Sequence, residues 1–424
     1  MGQIRNNWIK HLFIGLFILI SYNSFAEGLG NLAENNDSIF RAYLKEQNIE
    51  ITNNNEIKIL KSGHEKFIDL FADIEKAKHH IHLEYFNFRN DSIANKLFDL
   101  LAKKAKEGVE VRAIFDAFGN SSNNQPLKKK HLKEIRKRGI EIEPFDPMRF
   151  PWINHAFHRD HRKIAIIDGT IGYTGGMNIA DYYINGLPEI GEWRDMHVRI
   201  KGDAVALLQN IFLDMWNNCT KQQIGGKDYY PQTINQTDTN TQHKEVAIID
   251  RNPKKTKKLM RRAYAKAIES ASSNIQIINP YFTPTKIIKK AIKKATAKGV
   301  KVEIMISGKS DIPFSPEASM YIVNKLRKKG ADIYIFNDGF HHSKIMMVDS
   351  LYCTVGSTNL NSRSLRYDYE VNAFIFNKET TEELITIFKK DQEESTLLTA
   401  EIYQKRSPWK KFIGWFAHLF TPFL

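Results

Sequence analysis

Negative charge is in short supply in this 424-residue chain: 48 Asp and Glu stand against 62 Lys and Arg, a formal net charge of +14. The excess points to an anionic partner such as lipid headgroups, nucleic acid or a phosphorylated substrate, with a solvated basic surface as the plainer alternative. Cysteine is scarcer still. Cys219 and Cys353 are the only two, which excludes a disulfide scaffold and leaves at most one bridge in an oxidising compartment. Cys353 lies in an apolar strand-like run and reads as a small buried residue. Long hydrophobic runs are missing too: the uncharged stretch from His11 to Ala26 has 16 residues, short for a helix crossing ~30 Å of hydrocarbon. A complete metal-ligand set is also lacking. His155, His158 and His161 are close in sequence, but no Cys or acidic cluster completes them.

What is present is an ordinary 42% apolar share and length enough for two or three domains. Arg5 and Lys10 precede the apolar Leu12 to Ile20, and Ser24-Phe25-Ala26 follows. That is the three-part pattern of a secretory signal, with an uncleaved anchor as the alternative. Both put the folded body on the far side of the membrane from the cytoplasm. Cleavage would remove Arg5 and Lys10 and leave a net charge of +12. Residues 27–56 read as a polar spacer with one short helix.

Strands and helices then alternate. Ile81–Phe86 and Val109–Phe115 read as strands, Ile93–Lys106 and Lys128–Arg138 as helices stopped at Gly108 and Gly139, and Ile140–Ile142 as a further strand. Trp193–Ile200 reads as a strand and Ala204–Trp216 as a helix. The pattern predicts an α/β fold with part of its sheet parallel. The polar residues 218–242 read as a linker, after which the order repeats. Ile275–Tyr281 matches the first strand. Gly299-Val300-Lys301-Val302 echoes Gly108-Val109-Glu110-Val111. Order-preserving self-similarity predicts duplicated lobes, over residues 57–217 and 243–404, with a C-terminal tail over 405–424.

The repeat is sharpest in two stretches, HRKIAIIDGTIGYTGGMN from His161 and HSKIMMVDSLYCTVGSTN from His342. His342, Lys344, Asp349, Gly356 and Asn359 each stand 181 residues after His161, Lys163, Asp168, Gly175 and Asn178. Each stretch reads as strand, tight turn and returning strand. Alternation along a strand puts His161 and Lys163 on one side and turns Asp168 to the other.

Paired HxKxxxxD stretches, each followed by Gly and Asn, resemble the signature of the phospholipase D superfamily. Within it the chain is similar to bacterial cardiolipin synthases, from about residue 57 to the C-terminus. Thr174 to Asp181, Trp193-Arg194-Asp195, Asn279-Pro280-Tyr281-Phe282 and the ending Leu419 to Leu424 carry that similarity. The resemblance implies two tandem lobes, each a mixed β-sheet flanked by helices, with one active site at their pseudo-two-fold interface. It makes His161, Lys163, Asp168, His342, Lys344 and Asp349 the candidate catalytic set. It implies a phosphatidyltransferase acting on phosphatidylglycerol at an anionic phospholipid surface.

Displacement at a phosphodiester needs a nucleophile, an acid for the leaving alcohol, and positive charge around the phosphoryl oxygens. Two histidines divide the first two tasks if one is neutral and one protonated. His161 is the expected nucleophile and His342 the acid/base. Lys163, Lys344, Asn178 and Asn359 are expected to hold phosphate oxygens, which calls for neither metal nor cofactor. Asp195 and Glu370 are the expected orienting carboxylates, and Asp168 and Asp349 are assigned to the hairpins. The alternatives are a phospholipase D hydrolase and a metal-independent nuclease, although no nucleic-acid partner is expected. A non-catalytic lipid-binding protein is the third. Glu84 either reaches the site or is buried beside a lysine or arginine, and His341 lacks the motif's Lys and Asp. In the tail, Ser407-Pro408 starts a helix whose Trp409, Phe412, Ile413, Phe416, Leu419 and Phe420 share one face. It suits either a membrane interface or the protein's own surface.

Overall fold

β-branched and apolar runs of four to ten residues set the frame. The computed structural model describes residues 37–147, 157–231, 243–312 and 315–421. The expected signal or anchor segment, His155, and residues 232–242 of the expected linker lie outside them. The first half contributes β1 (Ile51–Leu60), β2 (His80–Tyr85), β3 (Glu110–Asp116), β4 (Glu141–Phe145), β5 (Lys163–Ile167), β6 (Ile171–Gly175), β7 (Trp193–Arg194) and β8 (His197–Gly202). The second contributes β9 (Lys244–Arg251), β10 (Asn274–Ile278), β11 (Lys301–Ser307), β12 (Asp332–Phe336), β13 (Phe340–His341), β14 (Ile345–Val348), β15 (Tyr352–Gly356), β16 (Glu370–Phe376) and β17 (Ser395–Leu397).

All but β7 and β13 form one 15-stranded mixed sheet. Outward from the central antiparallel β1–β9 pair, the order is β8, β6, β5, β2, β3, β4 on one side. On the other it is β16, β15, β14, β10, β11, β12, with β17 as an added edge. An antiparallel pair has a local two-fold axis. Joining two like lobes through β1 and β9 therefore relates them by a pseudo-two-fold. Within each half the outer three strands are parallel and the rest antiparallel.

Helices cover both faces: α1 (Gly63–Lys76), α2 (Ser92–Lys106), α3 (Ala204–Thr220), α4 (Leu259–Ser270), α5 (Lys286–Ala297), α6 (Ser315–Arg327), α7 (Lys378–Glu393) and α8 (Pro408–Leu419). Period-two alternation divides the core. Ala247 and Ile249 pack with Phe40 and α4, whereas Val246 and Ile248 face α3 and α7 in a cluster that draws strands from both halves. That shared cluster ties the lobes together, and burial of so many aliphatic side chains across the joint resists their separation.

Three expectations change. β1 begins at Ile51, inside the stretch read as spacer, and lies at the centre of the sheet. The strand read over Trp193–Ile200 is broken at Asp195-Met196: β7 leaves the sheet to pair with β13, and β8 begins at His197. Hydrophobic alternation cannot reveal such a break, because Asp195, Met196, His197 and Val198 are all buried, polar and apolar alike. Both cysteines are free, Cys353 buried and Cys219 half-buried, so the one-bridge alternative is not realised.

Candidate active site

The β5–β6 and β14–β15 hairpins present the paired motifs. Asp168 (φ 51°) and Asp349 (φ 52°) sit in left-handed conformations at the turns, which aspartate tolerates better than most side chains. Asp168 accepts hydrogen bonds from the backbone N–H of Lys78 (2.8 Å), His79 (2.8 Å) and His80 (3.0 Å). Asp349 accepts from those of Ser272 (2.6 Å), Ser273 (2.8 Å) and Asn274 (2.8 Å). Both carboxylates thus tie a turn to the segment entering the neighbouring strand. Asp349→Ala should therefore cost about 3 kcal/mol, since charge-assisted bonds contribute roughly 1.5–3 kcal/mol each and their donors are left part-buried. Urea unfolding tests this, and a midpoint equal to wild type would remove Asp349 from the fold's supports.

The two histidines meet the opposite lobes. His161 Nδ1 lies 3.1 Å from Glu370 Oε1, and His342 Nδ1 lies 2.6 Å from Asp195 Oδ2. The backbones cross in the same sense: His161 N–H donates to the Tyr369 carbonyl at 3.0 Å and His342 N–H to the Arg194 carbonyl at 2.6 Å. Each histidine is therefore hydrogen-bonded through its main chain to the residue preceding the carboxylate that holds its ring. With Nδ1 engaged, Nε2 of each imidazole is the nitrogen left for chemistry. Asp195 owes its place to the break before β8. Gly176 lets it approach, because a Cβ there would stand 2.1 Å from Asp195 Oδ1.

Electrostatics separate the two rings. Burial, then Lys163, holds the His161 imidazole well below its ordinary value, and burial pushes its partner Glu370 up to about 7. Burial and then Lys344 also lower His342. Its partner differs: burial would raise Asp195, but Lys344 and His342 outweigh it and hold the carboxyl below its usual range. An ionised Asp195 favours the imidazolium more than a half-protonated Glu370 does. Burial depresses the ammonium groups as well, Lys163 to about 7 and Lys344 to about 8. Lys163 Nζ donates to the His161 carbonyl at 2.6 Å. Lys344 Nζ donates to the His342 carbonyl and stands 2.8 Å from His342 Nδ1. With that Nδ1–H directed at Asp195, the ammonium proton goes to the carbonyl.

Asn178 and Asn359 are buried, and among the described residues their Oδ1 atoms have no hydrogen-bond partner. Phe86 packs edge-on to His161 at 5.2 Å, and Trp193, Tyr281 and Phe340 surround His342 at 5.3–5.9 Å. Two residues escaped the sequence reading. Lys66 of α1 is fully buried and donates to the carbonyls of Met177 (3.1 Å) and Asn178 (3.0 Å). His197 Nδ1 accepts from Met177 N–H at 3.2 Å. Nothing in the sequence around Lys66 separates it from the exposed lysines of an amphipathic helix.

Other candidates resolve as structure. Glu84 is buried against Arg162 (3.1 Å), which also pairs with Asp250 of β9 and so bridges the lobes. His341 pairs with Asp391 at 3.0 Å. His158 Nδ1 stands 2.8 Å from the Tyr367 carbonyl, and no group of three or more metal-ligating side chains occurs among the described residues.

Comparison with known proteins agrees with this architecture. Residues 70–216 and 264–392 match the family described as cardiolipin synthase, phospholipase D-like domain. A cardiolipin synthase of Oceanobacillus iheyensis is 37% identical over 406 residues, covering 96% of this chain and 83% of that protein. One of Listeria monocytogenes is 38% identical over 396 residues, covering 93% of this chain and 80% of that protein. Phosphatidylserine synthase of Haemophilus influenzae shares the fold at 15% identity, with a TM-score of 0.69 over 91% of this chain and 100% of that one.

Proposed function

This chain belongs to the cardiolipin synthase family of phospholipase D-like proteins, and from that premise we propose that it moves a phosphatidyl group from one phosphatidylglycerol to another. The observation that carries the reading is the crossed pairing, in which the other lobe's carboxylate holds each histidine's Nδ1 and leaves Nε2 as the nitrogen for chemistry.

His161, the more readily neutral ring, attacks phosphorus through Nε2. The phosphorus–oxygen bond to glycerol breaks, and the proton on His342 passes to the departing oxygen. A phosphohistidine and free glycerol result. The hydroxyl of a second phosphatidylglycerol then gives its proton to His342 and attacks the same phosphorus, releasing cardiolipin and regenerating both histidines. Lys163 and Lys344 supply charge to the phosphoryl oxygens. The Asn178 and Asn359 side chains are candidates for the same oxygens through their amide N–H groups. Asp168 and Asp349 take no part in the transfer.

Water in place of the second lipid would make the enzyme a phospholipase D hydrolase. Thin-layer analysis of products from purified protein and phosphatidylglycerol distinguishes the two. Cardiolipin and glycerol in equal amounts are expected, and phosphatidic acid as the sole lipid product would overturn the transferase reading.

As for the surroundings of the reaction, no helix among the described residues is long and apolar enough to cross a membrane. We propose attachment at the surface of the bacterial envelope, with the body on the extracytoplasmic side and lobes bounded as the sequence repeat suggests.

A further inference from the structure

The tail helix α8 touches the body by a narrow strip. A Cβ on Gly414 would stand 2.7 Å from the Glu317 carbonyl oxygen of α6, so glycine is what lets the helices close. Ala417 is buried, and the His418 ring packs at a tilt against Tyr321 with ring centroids 4.4 Å apart. The opposite side is aromatic and bare. Trp409 is 67% exposed, and Phe412, Trp415, Phe416, Leu419 and Phe420 are each 45–49% exposed. Trp415 joins this row and Ile413, half-buried, turns away from it. A contiguous aromatic row of this kind is rare on a surface that meets only water.

Where α8 meets the body a cleft of about 330 Å³ opens between α5, α6 and α8. It is lined by Lys286, Lys289, Lys290 and Lys293 of α5, Lys325 of α6 and His418 of α8. The α5 lysines fall at helical spacing i, i+3, i+4 and i+7, one face of one helix. Among the described residues no carboxylate pairs with any of the five lysines. The Lys289 ammonium is held below its ordinary value by burial and then by Lys293, Lys325 and Lys286. Ile322 and Leu326 lie among the lysines, so the cleft joins basic residues to a largely apolar wall, and its volume lies in the ~300–1,000 Å³ range of small-ligand pockets.

We propose that the cleft and the α8 aromatic row form one docking surface for an anionic bilayer, with the cleft taking a lipid headgroup phosphate and the rings entering the acyl boundary. The pairing of basic residues with exposed aromatic side chains around one helix selects a lipid surface over a soluble phosphate or a protein groove. The cleft also stands near the chemistry. Lys286 follows Tyr281, whose ring lies 5.9 Å from that of His342, by five residues, at most about 18 Å of chain. The inference rests on the surface itself and holds whatever alcohol accepts the phosphatidyl group.

The test uses the full chain on phosphatidylcholine vesicles with brominated acyl chains, with and without phosphatidylglycerol. Tryptophan quenching reads whether Trp409 and Trp415 enter the bilayer. The apolar stretch Leu12 to Ile20 is common to every variant, so the readout is the preference for anionic over neutral vesicles. Replacing Lys286, Lys289, Lys290 and Lys293 together by glutamine should weaken binding to the anionic vesicles by at least about a hundredfold, at roughly fivefold per lysine. It should leave turnover of dispersed short-chain phosphatidylglycerol unchanged. Trp409→Ser with Phe412→Ser, Trp415→Ser and Phe416→Ser should remove the tail's share of the quenching on both vesicle types, leaving only what Trp8 beside the apolar stretch contributes. Thermal midpoints equal to wild type show that both variants fold. Anionic binding that survives the lysine changes would overturn the proposal. So would free inorganic phosphate competing as well for the cleft in solution as vesicles do, or a change in oligomeric state on loss of the aromatic row without loss of quenching. A protein that docks but turns over no dispersed lipid would instead sink the transferase reading and leave the docking surface standing.

Discussion

His161→Ala should abolish turnover of phosphatidylglycerol, by at least about 10⁴-fold, and no improvement in the leaving group should restore it. His342→Ala should lose about 10³- to 10⁴-fold on the same lipid, the scale of a missing general acid and base, but respond differently to a better leaving group. A phosphatidyl ester of p-nitrophenol departs without a proton. The His342→Ala enzyme should therefore release one equivalent of p-nitrophenolate in a rapid burst and then stall, because nothing deprotonates the acceptor. Stopped-flow absorbance measures both phases. The asymmetry follows from the partners: Asp195 stays ionised and favours a protonated His342, whereas burial pushes Glu370 up to about 7 and leaves His161 the readier neutral base. A burst in His161→Ala and none in His342→Ala would exchange the two roles.

The carboxylates should differ as sharply. Asp195→Asn is expected to cost about 10³- to 10⁴-fold in kcat, because an amide cannot stabilise the imidazolium that the acid step requires. Glu370→Gln should cost only about tenfold near pH 7, since glutamine resembles the protonated form that Glu370 already partly adopts there. The pH profile gives a second reading. As pH rises through about 7 Glu370 gains its charge while Lys163 loses its own, so wild-type kcat/KM peaks near there and the acidic limb, which belongs to Glu370, flattens in Glu370→Gln. Lys344 loses its charge as pH rises through about 8, so the alkaline limb remains in that variant. Equal losses for the two carboxylate variants, or an unchanged acidic limb, would contradict the division of labour.

Much of this site was legible in the sequence, because a constant 181-residue offset between chemically matched residues is hard to produce by packing alone. The offset identifies the two hairpins, and strand alternation turns Asp168 and Asp349 away from the histidines. The crossed partnership was not legible. Asp195 and Glu370 stand out only as residues at or near strand starts, and nothing in a linear pattern says that each serves the other lobe. That arrangement depends on β7 leaving the sheet for β13, a two-residue pairing too short to have a periodicity. Lys66 was hidden for a different reason: its ammonium is satisfied by two carbonyls and lies 4.8 Å from the rings of Phe67 and Tyr85, contacts made by tertiary approach. The central role of β1 was masked by composition. Asn53, Asn54 and Asn55 make the strand look like spacer, yet Asn55 is buried and caps the bulge beside β9 through the carbonyls of Thr52 and Lys244. In the tail, the reading of a helix on the protein's own surface is realised through Gly414 and Ala417, and the aromatic row is left outward.

The central claim is that one histidine from each lobe makes a single transfer site with His161 as the covalent carrier. Acid quenching does not preserve a phosphoramidate, so the His342→Ala enzyme should be mixed with the p-nitrophenyl ester, quenched in alkali, digested and analysed by mass spectrometry. One adduct per chain is expected on the peptide that contains His161, as the glycerophosphoryl group left once alkali has cleaved the acyl esters. An adduct on another residue, or none despite a full burst of p-nitrophenolate, would contradict it.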